Sequence, residues 1–141
     1  MLIAVDASEH SDKIAEEGCK LAKLLSANTL LLYVSKLPDI AEEYLEFGGS
    51  SPTSLKAEKQ VKIAETVTSK LAESVRASGV QCEVVLESGD PAQKILVVAS
   101  ERNVSMIIIG LRGLHGIGKI RSLGSVSRRV IENARCPVLV V

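Results

Sequence analysis

Short apolar runs, several of them apolar on both faces, alternate along this chain with segments of helical spacing, and few folds accept that pattern. The runs are Leu2–Val5, Thr29–Val34, Gln81–Leu86, Met106–Ile109 and Val138–Val141. Within Ile107-Ile108-Ile109 and Val138-Leu139-Val140 every residue is apolar. Such strands need cover on both sides, as in a parallel sheet. Between the runs, Ile14, Gly18, Leu21, Ala22 and Leu25 mark a first helical face. Ala57, Val61, Ala64, Thr68, Leu71 and Val75 mark a second, which closes at Gly79, a glycine in the C′ position. A third opens at Pro91 and carries Ala92, Ile95, Leu96 and Ala99. A fourth follows Gly124-Ser125 and carries Val126 and Val130. The order β-α-β-α-β-α-β-α-β predicts one α/β domain over residues 1–141, a parallel sheet with helices on both faces and right-handed crossovers.

Composition narrows the function. A chain of 141 residues can bury about two thirds of its unfolded surface in one core. Aromatic residues make up 2%, so that core is aliphatic and lacks the stacking platforms of single-stranded nucleic-acid binders. With 17 Lys+Arg against 17 Asp+Glu, the chain is neutral, which argues against duplex nucleic acid or an anionic membrane as partner. No apolar run approaches the ~20 residues of a membrane span. Cys19, Cys82 and Cys136 are odd in number, without a C-x-x-C pair, and read as small core hydrophobes in a reducing compartment. The start, Met1-Leu2-Ile3, has no positively charged lead, so no signal peptide is expected and a cytoplasmic location is.

Two segments break the alternation. Ser35 to Thr53 is long for a βα connection and carries Asp39, Glu42, Glu43 and Glu46; it reads as a mobile flap or as a solvated irregular loop. Leu111 to Leu123 contains Gly113, Gly116 and Gly118 and directly follows the fourth strand. From Arg102 to Ile131 the charges are Arg102, Arg112, Lys119, Arg121, Arg128 and Arg129, with no acid among them. Glycine-exposed amides, a helix start at Ser125 and these cations together describe an anion site. The plain alternative is a flexible loop beside a solvated basic helix.

Three phosphate-loop patterns compete for this stretch. Gly113 to Lys119 spells G-x-x-x-x-G-K, but Ile120 stands where a hydroxyl must hold magnesium, so a P-loop is rejected. Gly116-Ile117-Gly118 opens a dinucleotide fingerprint that fails at Arg121. The third is Gly110-Leu111-Arg112-Gly113, a ten-residue stretch from Leu114 to Leu123, then Gly124-Ser125-Val126-Ser127, a helix, and Cys136-Pro137-Val138-Leu139-Val140-Val141. It resembles the universal stress protein family, whose motif is G-x2-G-x9-G-[S/T]. The opening Ile3-Ala4-Val5-Asp6-Ala7-Ser8-Glu9-His10-Ser11, the run Leu31-Leu32-Tyr33-Val34 and Gly89-Asp90-Pro91 extend the resemblance over nearly the whole chain.

The resemblance implies a five-stranded parallel sheet in order 3-2-1-4-5, of the adenine nucleotide alpha-hydrolase-like fold. In that order the sheet reverses between strands 1 and 4, where open α/β sheets bind their ligands at the carboxyl ends. The loops leaving those strands begin at Asp6 and Gly110. Gly110 and Gly113 would admit phosphates close to the backbone, with Arg112 adding charge. Gly124 and Ser125 would offer free helix amides and a hydroxyl, with the Val126 N–H behind them. By resemblance Asp6 lies near the adenine, the Val34 backbone contacts its edge, and Ala4, Val5 and Ile109 line base and ribose. Asp6 as a helix N-cap is the structural alternative.

The implied ligand is ATP, with Mg. No catalytic residue is assigned, because Asp6 is the one acid placed near the ligand and no zinc spacing exists. A binding protein is the expectation, with a non-nucleotide interaction member of the fold or a slow ATPase as alternatives. Val138, Leu139, Val140 and Val141 would form an exposed apolar edge, which pairing of two chains about a two-fold axis covers. The resemblance implies the same homodimer, and Val140→Asp is expected to disturb it.

Overall fold

The computed structural model describes residues 1–35, 52–111 and 123–141. Its elements follow the alternation of the sequence: β1 (Leu2–Val5), α1 (Ser11–Leu24), β2 (Thr29–Ser35), α2 (Pro52–Ala77), β3 (Cys82–Ser88), α3 (Pro91–Glu101), β4 (Ile107–Ile109), α4 (Ser125–Asn133) and β5 (Val138–Val140). The five strands form one all-parallel sheet in the order β3-β2-β1-β4-β5. The expectation from sequence is met. The connection expected from Ser35 to Thr53 lies mostly outside the described residues, as does the centre of the glycine-rich stretch.

The period of two along β1 sorts its side chains into two cores. Ile3 and Val5 face α1 and α2, packing with Ile14, Ala15, Cys19 and Ala22 and with Leu71, Ala72 and Val75. Leu2 and Ala4 face α3 and α4, packing with Ala92, Ile95, Val98 and Ala99 and with Val130. β1 and β4 sit at the middle of both layers, so Leu2, Ile3, Ile107 and Ile108 are fully shielded. Thus the two strands flanking the reversal of the sheet are covered on both faces, as are Leu31 and Leu32 of β2 beside them.

The helices start and stop for local reasons. Asp90 Oδ1 accepts the Gln93 N–H at 2.8 Å and Pro91 follows, so α3 has both an N-cap and a favoured first residue. After α2 the chain turns at Gly79, whose φ of +83° only glycine adopts without strain, and its N–H closes on Arg76 O at 2.8 Å. The one marker of the first helical face that fails is Leu25. It occupies the C-cap of α1 and is 58% exposed, because the helix has ended before the apolar stripe returns to the sheet.

Candidate functional site

β1 is flanked by β2 on one side and β4 on the other, and the register pairs Ala4 with Ile109 and Val5 with Tyr33. The chain therefore leaves β1 at Asp6 and β4 at Gly110 from adjacent strands, at the same end of the sheet. Ala4, Val5, Ile109 and Gly110 are buried there, and Val34 is half-buried on β2.

The loop after β1 is tied by one side chain. Ser11, 2% exposed at the start of α1, accepts the Asp6 N–H at its Oγ (3.1 Å) and lies 2.6 Å from Asp6 O and 3.2 Å from Asp6 Oδ1. Asp6 Oδ1 also accepts the Ser8 N–H at 3.0 Å. These bonds close a tight turn around the carboxylate, as Asx turns do. They also dispose of the alternative reading of Asp6: the N-cap position of α1 is His10, which makes no side-chain cap. Burial first and the negative charge of Asp6 second push the Tyr33 phenol above its ordinary pKa.

The other side of the crevice is knitted by α4. Ser127, 3% exposed, donates its hydroxyl to Gly110 O at 2.7 Å, which fastens the first turn of α4 to the end of β4. The Gly124 N–H donates to Leu111 O at 2.9 Å, and the Leu111 N–H to Val141 O at 2.8 Å. Gly124 is the N-cap of α4, and the first helical bond is Arg128 N–H to Gly124 O. The amides of Ser125, Val126 and Ser127 precede that bond and stand at the positive end of the helix dipole. Contrary to expectation, the Gly124 amide is not one of the free donors.

Ser127→Ala leaves a buried carbonyl without its partner and is expected to cost about 1–3 kcal/mol. Calorimetric melting checks this, since the change lowers the melting temperature by several degrees in a chain of this size.

A second fastening joins α3 to α4. Arg129 Nη1 meets Asp90 Oδ2 at 2.7 Å, and Gly89 N–H donates to Ser35 O at 2.8 Å at the end of β2. The Gln93 N–H first and the Arg129 guanidinium second hold the Asp90 carboxyl below its usual range.

The basic run read from sequence is divided in space. Arg102 is the C-cap of α3, at the amino ends of the strands, where it pairs with Glu83. It lines a broad groove of about 940 Å³ there with Arg76, Asn28 and Asn103. The 11 residues of α3, some 16 Å of helix, separate it from the crevice. It therefore adds nothing to the anion site. Arg128 and Arg129 are at the crevice end on α4, whereas Arg112, Gly113, Lys119 and Arg121 lie outside the described residues. Sequence reasoning missed Ser11 and Ser127 as anchors; their only trace was hydroxyls five residues after Asp6 and two after Ser125.

The arrangement suits an anionic ligand at the α4 start and a polar one at the Asp6 loop. For a metal the donor set is poor: among the described residues no group of three or more His, Cys, Asp or Glu could hold one. A magnesium ion would have to arrive on the ligand's own phosphates.

A parallel sheet in this order, opening between β1 and β4 onto a helix N-terminus, is the adenine nucleotide alpha-hydrolase-like arrangement. The chain belongs to the universal stress protein family, whose profile matches residues 1–141. It is 37% identical to universal stress protein YxiE of Bacillus subtilis over 149 aligned positions, covering 100% of this chain and 97% of that one. The fold superimposes on universal stress protein UspA from Lactobacillus plantarum with a TM-score of 0.82 at 20% identity, covering 99% and 94% of the two chains. It also superimposes on an Archaeoglobus fulgidus universal stress protein in complex with dAMP (TM-score 0.70, 21% identity, 99% and 94% covered). A universal stress protein in complex with cAMP gives a TM-score of 0.74 at 18% identity, again with 99% and 94% covered. Among the described residues no helix is long and apolar enough to cross a membrane.

Proposed function

We propose that the whole chain acts as one cytoplasmic, homodimeric binding module for an adenine nucleotide, ATP with Mg, and that occupancy of the site is what a downstream partner reads. The observation that carries this is the fastening of α4 to β4 through Ser127 and Gly110, directly across the sheet reversal from the Asp6 loop. It gives one crevice a cluster of helix amides on one wall and a fixed carboxylate on the other. The universal stress proteins holding dAMP and cAMP support the nucleoside class.

In this reading the amides of Ser125 and Val126 and the Ser125 hydroxyl hold phosphate, Gly124 brings the backbone close, and Gly110 leaves room beside β4. Gly113 and Arg112 complete the phosphate side from the stretch outside the described residues. Asp6 and the Val34 backbone meet the base and sugar, against Ala4, Val5 and Ile109. Binding rather than hydrolysis is the primary activity in this reading: the Asp6 carboxylate is tied into its own loop by Ser8 and Ser11 on the β1 side, and among the described residues no other acid is placed at the phosphate side as a base.

Isothermal titration with Mg-ATP and with AMP tests the assignment, with mass spectrometry of ligand released from freshly purified, denatured protein. Saturable heat and a raised melting temperature are expected. No heat and no thermal shift at millimolar nucleotide would sink it.

A further inference from the structure

The β1–α1 loop contains a hydroxyl that the rest of the fold does not use. Ser8 Oγ is shielded from solvent and has no hydrogen-bond partner among the described residues. Both backbone groups of Ser8 are engaged: its N–H donates to Asp6 Oδ1 at 3.0 Å, and its carbonyl accepts the Ser11 N–H at 3.2 Å. The side chain alone is left over.

Among the described residues, every hydroxyl on a fully buried serine or threonine has a partner within the protein. Ser11 Oγ bonds Asp6, Thr29 Oγ1 donates to Gln81 O at 2.8 Å, Thr68 Oγ1 to Ala64 O at 2.7 Å, and Ser127 Oγ to Gly110 O at 2.7 Å. A serine in a turn ordinarily bonds nearby backbone, and a desolvated hydroxyl without a partner costs free energy. The exception therefore calls for a physical explanation. It stands two residues beyond Asp6, in the loop that leaves β1 at the reversal of the sheet.

We infer that Ser8 is a further ligand-contacting residue, its hydroxyl completing its hydrogen bonding on the sugar or base of the bound nucleotide. The inference rests on the adenine-nucleotide reading above. Its end of the ligand follows from topology: the phosphate-holding amides belong to α4, beyond β4, whereas Ser8 shares the β1 loop with the Asp6 carboxylate. The free protein tolerates the unmet hydroxyl, and the complex satisfies it.

Two readouts should move in opposite directions in Ser8→Ala. The free variant loses an unsatisfied buried group, so its melting temperature is expected to rise by about 2 °C. Its affinity for Mg-ATP and for AMP, measured by titration calorimetry, is expected to fall by the same factor of about ten. A lowered melting temperature would mean that the hydroxyl already has a partner in the free protein, and the inference fails. Unchanged affinity, or a loss confined to ATP, also overturns it while leaving the nucleotide site standing. If the unsubstituted protein binds neither nucleotide, the broader functional reading fails first.

Discussion

Gly18→Val is expected to lower stability by about 3 kcal/mol, whereas Gly18→Ala should be close to neutral. Gly18 lies midway along α1 where the helix comes nearest the sheet. A Cβ there would sit 2.6 Å from Ile3 Cδ1, 3.0 Å from Ile3 Cγ1 and 3.3 Å from Ile108 Cδ1. For alanine the worst contact is with a terminal methyl, which Ile3 relieves by leaving its best rotamer at about 1 kcal/mol. The helix gains about as much from replacing glycine by alanine, and the two effects offset. Valine adds two methyls beside Ile3 and Ile108, both fully buried in a close-packed core, where one rotamer change no longer relieves the overlap. The helix must then move off the sheet or both isoleucines must repack. Urea unfolding of the two variants should show a large fall in midpoint for valine only, with unchanged slope. An equal response of both variants would mean that α1 packs less closely than described.

That close contact explains why so much of the fold was legible in the residues. Consecutive apolar residues such as Ile107-Ile108-Ile109 can be satisfied only by cover on both sides, and each of the three is buried. Gly18 fell on the apolar face of its helix because the helix needs a small residue there. Gly79, Pro91 and Asp90 set helix ends through their own backbone chemistry, which depends little on distant contacts. Leu25 misled because periodicity reports which residues are apolar, and carries no information on where the last turn ends.

The crevice was legible in position more than in detail. Strand order and the two loop starts, at Asp6 and Gly110, locate it from the resemblance and the reversal rule alone. What patterning could not give is which donors are already spent. The Gly124 amide looks free in sequence and is bonded to Leu111 O; Asp6 looks like an N-cap and is wrapped by Ser8 and Ser11. Charge order failed at Arg102 for a similar reason. Residues before and after a strand such as β4 stand at opposite ends of the sheet, so a basic run is a field only where the chain keeps it together.

The same distinction between patterning and packing decides the test of the dimer. In the proposed homodimer, Leu139→Asp is expected to convert dimers to monomers with the fold intact, which light scattering and a melting curve read together. β5 ends the sheet order, and Leu139 is 37% exposed on its outer face. Val138 and Val140 instead pack inward on the layer beneath α3 and α4, and Val141 on the opposite one. Val140→Asp, the substitution that the sequence suggested, would put a carboxylate into the core and unfold the subunit as readily as it separates the pair. About a two-fold axis each substitution acts twice. Removing two buried leucines at about 1.5–3 kcal/mol each weakens association by roughly 10²- to 10⁴-fold. A Leu139→Asp protein that still sediments as a dimer would show that the chains meet through some other surface.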